Sequence, residues 1–130
     1  MDVNAWVCPF CKGPLETLNH IFLNCDLVKV LWRTSPWPNL ISSFAARPIT
    51  NWIIAIIYPF VKLDVPLVDI RRFQIFATLV LDTIWFARNK LIHDNIQPVP
   101  AKAVQQLRIT HEYHISAWKD SALSSLWSPP

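Results

Sequence analysis

All three cysteines of this chain and one of its four histidines fall within eighteen residues, in the spacing Cys8-x2-Cys11-x8-His20-x4-Cys25. Two cysteines two residues apart form a tight turn that brings both sulfurs to one point, where backbone N–H groups after the turn donate to them. Such a turn calls for positive φ just past the second cysteine, and Gly13, the only glycine, stands there. His20 and Cys25 supply a second pair from a helical turn. Three thiolates and one imidazole suit zinc in tetrahedral geometry. Four protein ligands leave no position for water, so the expected cofactor is one structural Zn2+. Three thiolates around a divalent ion leave a net negative charge, which Lys12 can offset. Metal of this kind contributes about 10–16 kcal/mol in small finger peptides. Residues 1–38 show little other core, so the metal is expected to hold them together.

Other uses of these cysteines fit less well. A disulfide framework needs an even set and a secretory context, and residues 1–6 carry neither a basic nor an apolar signal region. A redox CxxC would follow a strand, and none is visible here. The expected setting is intracellular and reducing, without distinguishing nucleus from cytoplasm.

With 11 prolines against one glycine, proline does most of the punctuation. Asp26 to Arg33 reads as a helix, with Leu27, Val30 and Leu31 at i, i+3, i+4 and Pro36 and Pro38 beyond it. Residues 39–50 read as a loop. Thr50 is placed to cap a short helix from Asn51 to Tyr58, although its apolar run would also suit a strand. Lys62 to Pro66 reads as a connection. Asp69 is placed to cap a long helix in which Ile70, Phe73, Phe76, Ala77, Val80, Ile84, Ala87 and Leu91 follow at three- and four-residue steps. Leu79, Leu81, Trp85 and Phe86 cover much of its other side. A helix apolar nearly all round is central in a bundle or lies at an interface. It ends in the polar stretch Arg88 to Asn95. Pro100 suits the first turn of a last helix, to Leu126, with Val104, Leu107, His111, Ile115, Trp118 and Ala122 on one stripe. The expected fold is mainly α. A small Cys3His zinc knuckle occupies 1–38, and a helical bundle-like region occupies 39–130.

Neither apolar stretch, Trp52 to Val61 or Phe73 to Ala87, reaches the ~20 residues a bilayer requires. No membrane association is expected. The net charge of +3 permits an RNA or DNA partner without a dense basic run to indicate one. His111 and His114, with Glu112 between, read as helix surface rather than a second metal site, since no third ligand is near. His93 is placed to meet the C-terminal dipole of the long helix. Trp32, Trp85 and Trp118 lie on apolar faces and are expected in the core; Trp6 and Trp37 flank the zinc module. No serine has a nucleophile-elbow context.

The run CPFCKGPLETLNHIFLNCDLVKVLW resembles the zinc-binding domain of plant non-LTR (LINE-type) retrotransposon reverse transcriptases. That family's pattern corresponds here to Cys8, Cys11, Glu16, Thr17, His20, Cys25 and Trp32. The tract IWFARNKLIHDN, Ile84 to Asn95, resembles the helical connector between that domain and a ribonuclease H domain, and LWSPP, Leu126 to Pro130, resembles the lead-in to the latter. The resemblance implies a zinc-binding, nucleic-acid-associated part of a retroelement polyprotein. The 130 residues contain neither the polymerase aspartates nor the ribonuclease H carboxylates, and their nine carboxylates form no two-metal arrangement. No catalytic residues and no small-molecule substrate are therefore expected. The alternative is a structural or protein-interaction module whose apolar helix, Ile70 to Leu91, packs on a partner.

Overall fold

The computed structural model describes residues 7–13, 15–35, 37 and 47–126, with side chains to 119. The chain is mainly helical, with a Cys/His cluster near its N-terminus followed by helices. A π-helical turn, His20–Asn24, leads into α1 (Asp26–Arg33). Then come α2 (Ile49–Ile57), α3 (Pro59–Leu63), a 3-10 turn (Leu67–Asp69), α4 (Ile70–Asp94) and α5 (Pro100–Leu126). Among the described residues, β pairing is limited to one isolated antiparallel bridge, Val7 with Leu15. Among them, too, no helix is long and apolar enough to cross a membrane.

The three- and four-residue spacing of α4 does what it predicts. Phe73, Phe76, Ala77, Val80, Ile84 and Leu91 are buried on one face. That face packs on α5, which contributes Leu107, and on α1 and α2. α1 brings Val28, Leu31 and Trp32 to the same place. Trp32 meets Trp52 of α2 edge-on at 5.1 Å and Phe76 of α4 at 6.2 Å. Its indole Nε1–H donates to the Phe22 carbonyl at 2.7 Å, so the ring is buried without stranding its polar end. Cys8, Ile21, Leu23 and Cys25 belong to this same core. The ligand-bearing segment therefore has apolar anchorage of its own.

Several boundaries differ from the sequence expectation. The Asn51–Tyr58 segment is helical rather than a strand, but its helix starts at Ile49 with Pro48 at the cap, and Thr50 caps nothing. The cap comes from a distance. The Asn19 side chain accepts the Ile49 N–H at 3.0 Å and donates to the Arg47 carbonyl. Lys62 lies in α3, which Pro59 begins and Asp64 ends with φ 55, so the connection is shorter than proline spacing suggests. Asp69 makes no side-chain cap to α4; its carboxylate lies 3.9 Å from Arg72 instead. Asn95 closes α4 in the left-handed region, its N–H reaching the Leu91 carbonyl at 3.1 Å. Residues 39–46, within the expected loop, lie outside the described residues, as do Trp6 and 127–130.

Candidate metal centre

One ligand atom each from Cys8, Cys11, His20 and Cys25 lies within 4.8 Å of the other three, close enough to hold a metal ion. Cys8 Sγ and Cys25 Sγ are 3.8 Å apart. Two sulfurs bonded at ~2.3 Å to one tetrahedral ion stand about 3.8 Å apart, so this pair has the edge length of such a site. Cys11 Sγ and His20 Nε2 are 3.3 Å apart. The corresponding sulfur–nitrogen edge is about 3.6 Å, slightly longer than the pair observed. Cys8 and Cys25 are fully buried, Cys11 is exposed, and His20 is half-buried.

Each half of the cluster has a local reason for its shape. In the first, the Lys12 N–H closes on the Cys8 carbonyl at 2.8 Å, and Lys12 itself takes positive φ, at 56°. The turn does need a left-handed residue after Cys11, but Lys12 fills that role; Gly13 does not have positive φ. A Cβ on Gly13 would meet Cys11 Sγ at an ordinary 3.8 Å. A lysine in the left-handed region costs on the order of 1 kcal/mol that glycine would not.

In the second half, the spacing His20-x4-Cys25 puts the ligands five residues apart. An α-helix would set such residues about 140° apart around its axis. The π turn closes this gap, since its wider circuit is tied by the Cys25 N–H to the His20 carbonyl at 2.8 Å. Thr17 starts the turn, its hydroxyl accepting the His20 N–H at 3.1 Å and its carbonyl the Ile21 N–H at 2.9 Å. Cys25 then leaves the turn with extended backbone at the N-cap position of α1, where the Leu27 backbone N–H reaches its thiol. The x4 spacing, one residue longer than an α-helical i, i+4 pair, was the sequence signal for this turn.

As free thiols the two buried cysteines resist ionisation. Burial pushes Cys25 up to about 12; the Leu27 backbone N–H opposes this, while Cys8 nearby adds to it. Burial also raises Cys8, against the backbone N–H groups of Cys11 and Phe10 that donate to it. These N–H groups sit where a knuckle requires them. A bound cation would remove the penalty by neutralising the thiolates as they form.

The other singled-out residues lie apart from this cluster. His111 is half-buried against Phe76, with ring centroids 5.5 Å apart, and His114 is exposed beside Tyr113. Among the described residues the Cys/His cluster is the one group placed to hold a metal. Trp32 is buried and Trp118 half-buried, but Trp85 is 48% exposed, contrary to the core expectation. It stacks on Phe22 at 6.3 Å, and Arg88 lies over its ring at 5.0 Å. Trp37 packs edge-on against Phe73 at 5.4 Å. An apolar groove of about 420 Å3 runs beside Trp85, bordered by Leu18, Phe22, Ile53 and Leu81. Phe86, on the same helix, is 62% exposed. No family model, curated protein or solved structure matches the chain.

Proposed function

We propose that Cys8, Cys11, His20 and Cys25 hold one zinc ion whose role is structural, and that the chain is a non-catalytic, zinc-stabilised helical module. The convergence of three thiols and an imidazole on one point, with a sulfur–sulfur edge of 3.8 Å, carries this reading. The donor set favours zinc over hard cations, and four protein ligands leave no position for a reactive water. Metal analysis of purified protein tests it. One zinc per chain is expected, falling to none in Cys25→Ser; unchanged stoichiometry in that variant would remove Cys25 from the site.

The resemblance to reverse transcriptase zinc-binding domains extends the proposal to nucleic-acid association within a longer polyprotein. Filter binding to single-stranded RNA across a salt series tests that step, and a steep salt slope is the expected sign of phosphate contacts. A second reading, protein association through α4, is favoured by the exposure of Trp85 and Phe86. It predicts self-association or dye binding by the zinc-loaded protein at micromolar concentration. A monomer in sedimentation that binds no hydrophobic dye would sink it.

A further inference from the structure

The segment between the two ligand pairs is held from outside by α4. Glu16 precedes Thr17, the residue that starts the His20 turn. Arg88 of α4, 72 positions further on, donates through Nε to the Glu16 carboxylate. The two side chains are 21% and 20% exposed, so the pair is largely removed from solvent. The guanidinium is fixed in its turn, lying 5.0 Å over the Trp85 ring and reaching Asn89 Oδ1 at 3.3 Å. Trp85 stacks on Phe22, inside the π turn. One face of α4 therefore grips the chain four residues before His20 and again two residues after it. A second ion pair, Asp69 with Arg72, spans only three residues at the start of α4.

We infer that Arg88 is a positioning residue for the metal centre, acting through Glu16 to fix the segment that aims His20; this rests on the metal reading above. Two physical effects run in the same direction. The pair orients the start of the turn from which the imidazole projects, and groups one step removed from a metal commonly set ligand direction in this way. The guanidinium also neutralises a carboxylate on the segment that joins the two ligand pairs, whose three thiolates make the centre negative.

Cobalt(II) serves as the probe, because its visible bands report ligand geometry, and zinc affinity follows by competition. The parent protein is expected to bind one cobalt per chain with the bands of a tetrahedral thiolate site. Glu16→Gln and Arg88→Met should each weaken zinc binding about 10- to 100-fold and alter the cobalt bands. The charge-swapped double variant, Glu16→Arg with Arg88→Glu, should recover most of the loss. Gln74→Ala is the structural control. Its amide ties α4 to the Ile56 and Ile57 carbonyls, away from the cluster, so it should lower the melting temperature and leave zinc affinity alone. An affinity within threefold of the parent in Glu16→Gln overturns the inference, as does an equal loss in Gln74→Ala. If Arg88→Met does not fold, Glu16→Gln decides alone, since it keeps the size of the side chain on a loop. A parent protein that binds no cobalt overturns the metal reading, and this inference with it. Parent binding with unaffected variants overturns the inference only.

Discussion

Among the described residues, the turn that carries Cys8 and Cys11 is held by the Val7–Leu15 bridge across its own ends, the burial of Cys8 and the packing of Phe10. His20 and Cys25 flank a turn that the fold grips at every side. Thr17 starts it, Asn19 ties it to α2, Trp32 donates to Phe22, Trp85 stacks there, and Cys25 stands at the N-cap position of α1. The second pair is thus pre-arranged by packing that needs no metal. In the first, Cys8 is anchored by its burial, and exposed Cys11 is the donor a bound ion would have to draw in. A site divided in this way couples metal to a short N-terminal segment more than to the helical core, which can persist without it.

Chelation gives the largest expected effect, because zinc sites of this class are worth on the order of 10–16 kcal/mol in small peptides. Hydrogen exchange of the metal-free protein should show 7–13 unprotected while α1, α4 and α5 stay protected. Simultaneous loss of all protection would break the comparison and make the metal essential to the whole fold. Next in size are the single ligand variants. Cys25→Ser and Cys11→Ser should both abolish tight binding. In the metal-free state, however, only Cys25→Ser should lower the melting temperature, by the equivalent of about 1–3 kcal/mol, because it puts a hydroxyl into the core. Equal melting points would mean that Cys25 is not part of the pre-arranged half.

Smaller effects sharpen the first pair. Lys12→Gly relieves about 1 kcal/mol of left-handed backbone but removes a cation that can offset the thiolates, so tighter metal binding is expected in a competition titration at high salt, where the charge effect is screened. Gly13→Ala should be near neutral, because neither its φ nor its surroundings exclude a Cβ. The smallest effect lies away from the metal. Burial lowers the pKa of His111 below its ordinary value, outweighing the hydrogen bond its ring donates to the Arg72 backbone carbonyl, which raises it. The unfolded chain then takes up the proton more readily than the folded one, so this residue costs stability as pH falls below about 6.5. His111→Phe should melt above the parent by a margin that widens in that acidic range. A margin independent of pH would show that His111 titrates alike in both states.

What the sequence made legible was local and periodic. The buried face of α4 follows from side chains three and four apart, and the four cluster residues follow from their own spacing and chemistry. What stayed hidden depends on residues far apart in the chain. Asn19 capping α2 across 30 positions, and Arg88 meeting Glu16, cannot be inferred from windows of a dozen residues. Trp85 misled for the same reason: its apolar spacing suits a core, but with Phe22 and Arg88 against it the ring is still 48% exposed. The positive φ was located one residue late, at Gly13 instead of Lys12, because glycine is the usual marker of that conformation and lysine is not.

The 72 positions between Glu16 and Arg88 also set an order in time. At ~5–20 residues per second, roughly 4–14 seconds of synthesis separate the two. All four cysteine and histidine donors are therefore made before the helix that braces them. During that interval a nascent chain carries its thiols without Arg88, Trp85 or the hydrophobic face of α4 to organise them. Protection of those thiols from oxidation or the wrong metal then falls to the cell rather than to the fold, until α4 has been made.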